Sequence, residues 1–137
     1  MSFALDARLA ADTLFLADRP LCRVLLMNDS WFPWLILVPR RAGLSELHDL
    51  ALPERALLIE EAAQAGERLK AFTGAKKINT GALGNVVAQL HVHVVARHES
   101  DAAWPGPVWG FGKAAPYSPG EAAALVEKWR AVLETVA

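Results

Sequence analysis

The segment Gln89-Leu90-His91-Val92-His93-Val94-Val95 alternates polar and apolar side chains with a period of two. Only an extended strand turns that pattern into two chemically distinct faces, because successive side chains of a strand point to opposite sides. Leu90 to Ala96, rich in β-formers, is therefore expected to be a strand. Leu90, Val92 and Val94 are expected to enter a core. Gln89, His91 and His93 are expected to share the other face, with neighbours roughly 6–7 Å apart. Polar groups in such a row need partners: buried, they demand hydrogen bonds, and beside a ligand they offer donors and acceptors. The spacing alone also fits a strand with one wetted face.

The rest of the chain supplies what that strand would pair with. Thr13 to Ala17, Arg23 to Met27 and Trp34 to Val38 read as strands rich in Leu, Val, Ile, Phe and Trp. Asn28-Asp29-Ser30 provides turn chemistry between the second and third, which are expected to pair as a hairpin. Asp6 to Asp12 is a candidate short helix, Lys77 to Thr80 a further strand, and Gly81 to Gly84 a turn. Pro53 to Phe72 is the strongest helix. Leu58, Ala62, Ala65, Leu69 and Phe72 recur at helical spacing, and Glu60, Glu61, Gln64, Glu67 and Arg68 fall largely elsewhere. Asp101 to Pro116 is Gly- and Pro-rich and reads as an irregular loop. Ser118 and Glu121 form a capping box, with Pro119 as first helical residue of a last helix. Leu125, Trp129, Val132, Leu133 and Val136 give that helix an apolar side. The expected class is α+β: an antiparallel sheet with helices on one face, in a single domain over 1–137.

Composition removes several function classes. Hydrophobic residues form 53% of the 137, too many for a disordered chain. The net charge of −1 provides no global field to attract nucleic acid, and Arg40-Arg41 and Lys76-Lys77 read as solvated turns. The single cysteine, Cys22, permits neither an internal disulfide nor a cysteine zinc cage and reads as a small buried hydrophobe. The longest apolar run, Trp31 to Val38, is too short to span a bilayer, and Met1 to Asp12 lacks the features of a signal peptide. A soluble cytoplasmic protein that does not engage membranes is expected.

Two segments flank the histidine pair. Asn79-Thr80-Gly81-Ala82-Leu83-Gly84-Asn85 has glycines that let backbone N–H groups converge on an anion, with asparagine amides beside them. Trp104-Pro105-Gly106-Pro107 is a stiff aromatic stretch suited to walling a site. From Asn79 to Pro107 the chain resembles the signature region of the histidine triad family, whose motif is His-φ-His-φ-His-φ-φ, where φ is apolar. Leu37-Val38-Pro39-Arg40 and the helix after it resemble the family as well.

The resemblance implies a nucleotide hydrolase or nucleotidyl transferase whose middle histidine attacks the α-phosphate and forms a nucleotidyl-histidine intermediate. That position is His91, the last of the triad is His93, and the first is occupied by Gln89. Glutamine donates and accepts hydrogen bonds but carries no charge, so rate and leaving-group preference are expected to differ from those of a full triad. Asn79 and Asn85 match positions near phosphate, Val86 stands where some members have a hydroxyl residue, and Asn28 matches the ribose-binding position. Dinucleoside polyphosphates and nucleoside phosphoramidates are the implied substrates, with no metal or cofactor needed for the covalent step. Related branches dimerise, and a homodimer is expected. Two other readings stand beside this one. The first is a purine nucleotide-binding module without turnover. The second is a metal site built from His91, His93 and His98, for which no carboxylate stands at a suitable position. His98 is otherwise expected to be solvated, and His48 to be a surface or capping residue.

Overall fold

The computed structural model describes residues 2–134. Asp6 opens the chain's first helix, α1 (Ala7–Asp12): its carboxylate accepts from the N–H groups of Arg8 and Leu9, two donors that lack helical partners. Strands β1 (Thr13–Asp18), β2 (Cys22–Met27) and β3 (Trp34–Pro39) follow, then helix α2 (Leu52–Thr73). Strands β4 (Lys77–Gly81) and β5 (Val92–Arg97) and helix α3 (Pro119–Glu134) complete the order. The strands form one antiparallel sheet in the order β1-β2-β3-β5-β4. β2 and β3 pair as the expected hairpin, and β3 runs beside β5 with Ile36 opposite His93. Val136, expected on the last helix, lies outside the described residues. No helix among them is long and apolar enough to cross a membrane.

Period-two alternation sorts the sheet into two cores. Cys22, Val24, Leu26, Leu35, Leu37, Val92, Val94 and Ala96 pack with Leu58, Ala62, Ala65 and Leu69 of α2 and Trp129 and Leu133 of α3. Both long helices therefore cover one face. Leu25, Trp34, Ile36, Val38 and Val95 point the other way and meet Leu9 of α1, Phe32 and Val108. That second face is roofed by the N-terminal segment and by the Gly- and Pro-rich loop. β3 and β5 are buried on both sides along their whole length.

Helix α2 ends where its sequence says it should. Gly74 adopts φ 69°, a left-handed conformation that glycine reaches without a Cβ penalty, and its N–H closes on the Lys70 carbonyl. Its solvent side differs from expectation at Glu61, which is buried. The Glu61 carboxylate accepts from the N–H groups of Leu21 and Cys22 at 2.9 and 2.8 Å, at the start of β2. It satisfies two backbone donors that have no room for water. Phe72 stays partly exposed and meets Trp129 edge-on at 4.8 Å. The capping box at α3 is formed: Ser118 Oγ accepts from Glu121 N–H and donates to the Glu121 carboxylate.

Candidate active site

The β5 strand begins at Val92, two residues later than the alternation suggests, and Leu90 instead donates its N–H to the Leu44 carbonyl. His91 therefore stands at the mouth of the strand and His93 one full step inside it. Their rings meet edge to face with centroids 4.9 Å apart. Both line an open cleft of about 440 Å³ on the face away from the long helices. Leu83, Gly84, Asn85, Val86 and Val87 form its wall before β5, and Trp109, Gly110 and Phe111 the wall from the long loop. Arg8, Leu9 and Asp12 of α1 close it along the N-terminal side.

Each histidine has one ring nitrogen committed. Nδ1 of His91 lies 2.6 Å from the Gln89 carbonyl oxygen. A carbonyl only accepts, so Nδ1 carries the proton and Nε2 keeps its lone pair. Nδ1 of His93 lies 3.0 Å from the indole Nε1 of Trp34, which only donates. The neutral His93 ring therefore carries its proton on Nε2. Burial, and then the neighbouring His91, lower the His93 pKa to about 4, so the ring is neutral at physiological pH. The same cleft thus holds one imidazole prepared to give electrons and one prepared to give a hydrogen bond.

The other expected site residues are more dispersed. Asn85 lines the cleft and is exposed. The Gln89 side chain turns towards the N-terminal segment instead of standing in row with the histidines. Its Oε1 accepts from Asp6 N–H at 2.8 Å and its Nε2 donates to the Ala4 carbonyl at 2.9 Å. Gln89 also borders a second, smaller cleft of about 220 Å³ behind His91, with Ser45, Glu46 and His48. Asn79 lies on β4, where its Oδ1 accepts from the buried guanidinium of Arg97 at 2.8 Å. The ring of Trp104 lies over that guanidinium, its centroid 5.8 Å from the Arg97 Cζ, and the wall position expected of Trp104 is taken by Trp109, 5.5 Å edge-on from His93. Asn28 accepts from Tyr117 N–H and ties the hairpin to the segment before α3, while Asp29 beside it reaches the cleft. His98 is half-buried, its ring against the Thr73 carbonyl and not beside the other two histidines. No group of three or more metal-ligating side chains occurs among the described residues. His48 is exposed on a 3-10 turn (Leu47–Asp49) whose capping is done by Asp49.

Sequence reasoning passed over Trp34, Asp29, Trp109 and Arg8. Trp34 looked like one more apolar strand residue. The alternation Trp109-Gly110-Phe111-Gly112 was the signal for the aromatic wall, since glycine between aromatic rings leaves both faces of a loop open.

Residues 8–100 match the family model of the HIT (histidine triad) domain. The chain belongs to the histidine triad family. That family is one of nucleotide hydrolases and transferases. A histidine triad protein of Marinobacter aquaeolei VT8 is 43% identical over 100% of both chains, with a TM-score of 0.95. One of Sinorhizobium meliloti 1021 is 48% identical over 98% of this chain and 97% of its own, with a TM-score of 0.91. One of Bradyrhizobium japonicum is 40% identical over 96% and 98%, also with a TM-score of 0.91. No curated protein matches the chain. The five-stranded antiparallel sheet with its helices is the histidine triad fold.

Proposed function

We propose that this protein cleaves nucleotides at the α-phosphate through a covalent intermediate on His91. The observation that carries the reading is the 2.6 Å contact from His91 Nδ1 to the Gln89 carbonyl, which leaves the Nε2 lone pair free on a ring that lines a nucleotide-sized cleft. Nε2 attacks the α-phosphorus, a P–N bond forms, and the bond from phosphorus to the leaving group breaks with its electron pair going to that group. The ring, still protonated on Nδ1, becomes an imidazolium whose charge the Gln89 carbonyl stabilises. Water then attacks the same phosphorus and gives a proton to solvent, the P–N bond breaks with its electron pair returning to Nε2, and the nucleoside monophosphate leaves. His93 donates from Nε2–H to a phosphate oxygen, and Asn85 and the backbone at Gly84 supply further donors. Dinucleoside polyphosphates and nucleoside phosphoramidates are the substrate classes, with the aromatic wall of Trp109 taking the base.

Phosphoramidates of histidine survive alkali and break down in acid. Mixing protein with nucleotide and quenching in alkali is therefore expected to trap a nucleotidyl mass on the peptide containing His91. His91→Ala is expected to lose both that adduct and nearly all turnover. Full turnover in folded His91→Ala overturns the mechanism, and tight binding without turnover of any substrate leaves a nucleotide-binding module instead.

The reading extends to a cytoplasmic homodimer. β4 is an edge strand, and beside it Ile59, Ala62, Ala63, Gly66 and Ile78 line an open groove between α2 and the sheet. Ile59 is 61% exposed there, an apolar side chain that a second copy would cover. A sedimentation mass of one chain at micromolar concentration counts against the dimer.

A further inference from the structure

Gln89 replaces a histidine of the motif, and its amide is spent on the N-terminal segment. The two hydrogen bonds, to Ala4 and Asp6, span more than 80 residues of sequence and fasten that segment beside His91. Asp6, itself held by the clamp, caps α1 and so sets the direction of Arg8 two residues on, which lines the cleft. Arg8 is the only Lys or Arg among the residues lining that cleft, while Asp12 and Asp29 line it too. His93 is neutral. An anionic tail leaving the α-phosphate would thus meet two carboxylates and a single fixed cation. The Arg8 guanidinium is committed only loosely, with Nε 3.7 Å from the Asp12 carboxylate, and it makes no side-chain hydrogen bond among the described residues.

We propose that Arg8 determines specificity for an anionic, polyphosphate leaving group, and that Gln89 is the positioning residue that holds the N-terminal segment so that Arg8 faces the site. This rests on the hydrolase reading above and narrows it: a substrate losing a polyphosphate is favoured over one losing a neutral amine. Arg8 gains hydrogen bonds to phosphate oxygens, which are stronger than those between neutral groups.

The test compares kcat/KM for diadenosine tetraphosphate with that for an adenosine 5′-phosphoramidate of a neutral alkylamine. The Arg8→Gln variant is expected to lower the ratio of the two by about five- to tenfold, the size of one exposed charge-assisted contact. Arg8→Lys is expected to restore part of that ratio. Removing the competing carboxylate, as in Asp12→Asn, is expected to raise it. Salt is expected to lower the ratio in the wild type and to act less in Arg8→Gln, because exposed charges are screened. Gln89→Ala is expected to lower the ratio as well, and the double variant to lose no more than Arg8→Gln alone, because the two residues act in series. Binding of adenosine monophosphate against a non-hydrolysable triphosphate analogue gives the same comparison without turnover. Equal losses on both substrates in Arg8→Gln overturn this inference and leave the hydrolase reading standing. A wild-type protein that binds neither nucleotide overturns both.

Discussion

The indole N–H of Trp34 donates to Nδ1 of His93 across the β3–β5 pairing, at 3.0 Å. Trp34 stands opposite Val95 and His93 opposite Ile36, so the contact is a diagonal one on the face that carries the cleft. It fixes the His93 proton on Nε2 without any charged partner. Trp34→Phe keeps an aromatic ring at this buried position and removes the donor together with part of the indole volume. Turnover is expected to fall about fivefold, since one buried hydrogen bond contributes on the order of 1 kcal/mol. Nitrogen-15 spectra of the His93 ring are expected to show both tautomers in the variant and one in the wild type. A single unchanged tautomer in Trp34→Phe would show that something else orients His93.

The low pKa of His93 makes stability depend on pH in a specific window. Folded His93 takes a proton only near pH 4, whereas the unfolded chain takes it near the ordinary 6.5. Between those values the unfolded state binds one more proton, so stability falls as pH falls from 6.5 to 4 and this contribution is flat below. Denaturant unfolding of the wild type through that window is expected to carry a slope of about one proton from this site. His93→Gln removes that component. An identical slope in the variant would mean that His93 is not held neutral by the fold.

Asp101 organises the loop that carries the aromatic wall. Its carboxylate takes two hydrogen bonds from Arg97, whose side chain is 2% exposed, and also accepts from the N–H groups of His98, Ala103 and Trp104. The Arg97 hydrogen bond first, with the backbone N–H groups of His98 and Trp104 behind it, holds the Asp101 carboxyl down to about 2 against the opposing effect of burial. Asp101→Asn leaves Arg97 buried without its counter-charge and is expected to destabilise the protein by about 3 kcal/mol at neutral pH. A carboxyl with a depressed pKa stabilises above its ordinary pKa and loses that contribution as pH falls towards 2. The gap between wild type and variant is therefore expected to close between about pH 4 and pH 2 in unfolding measurements.

What was legible in the chain depended on how local its physics is. Strand alternation from Val92 to Val95, turn residues at Asn28 to Ser30 and the Ser118–Glu121 cap act within a few residues, and all three correspond to structure, whereas Gln89, expected in the same row, lies before the strand and turns to the N-terminal segment. Glu61 was opaque because a carboxylate among charged neighbours looks solvated. Only the fold brings the N–H groups of Leu21 and Cys22 to it, from about 40 positions away. Asn79 beside a Gly-rich turn resembles a phosphate ligand until Arg97, 18 positions on, takes its Oδ1. Trp104 and Trp109 share one loop and one composition. Asp101 accepts from the backbone N–H of Trp104 while Trp109 meets His93, and no spacing rule encodes that division.

Gln89→His places a histidine where the resemblance to the motif calls for its first one, and therefore separates a rate-limiting deficiency from a structural commitment. If glutamine at this position were simply a weakened catalyst, the change would raise turnover. The two hydrogen bonds of the amide argue otherwise. A neutral imidazole has one donor and one acceptor on opposite sides of a rigid ring, so it cannot reproduce both the bond to Ala4 and the bond from Asp6 with amide geometry. One end of the N-terminal clamp is then lost, at a cost of about 1 kcal/mol. The expected result is turnover no higher than wild type, together with faster amide exchange over residues 4–9, where α1 begins. The backbone carbonyl that holds His91 is retained in the variant, so its alkali-stable adduct is expected to form as before. A several-fold rise in turnover, with exchange in that segment unchanged, would show that the clamp is incidental and that the missing histidine limits the reaction.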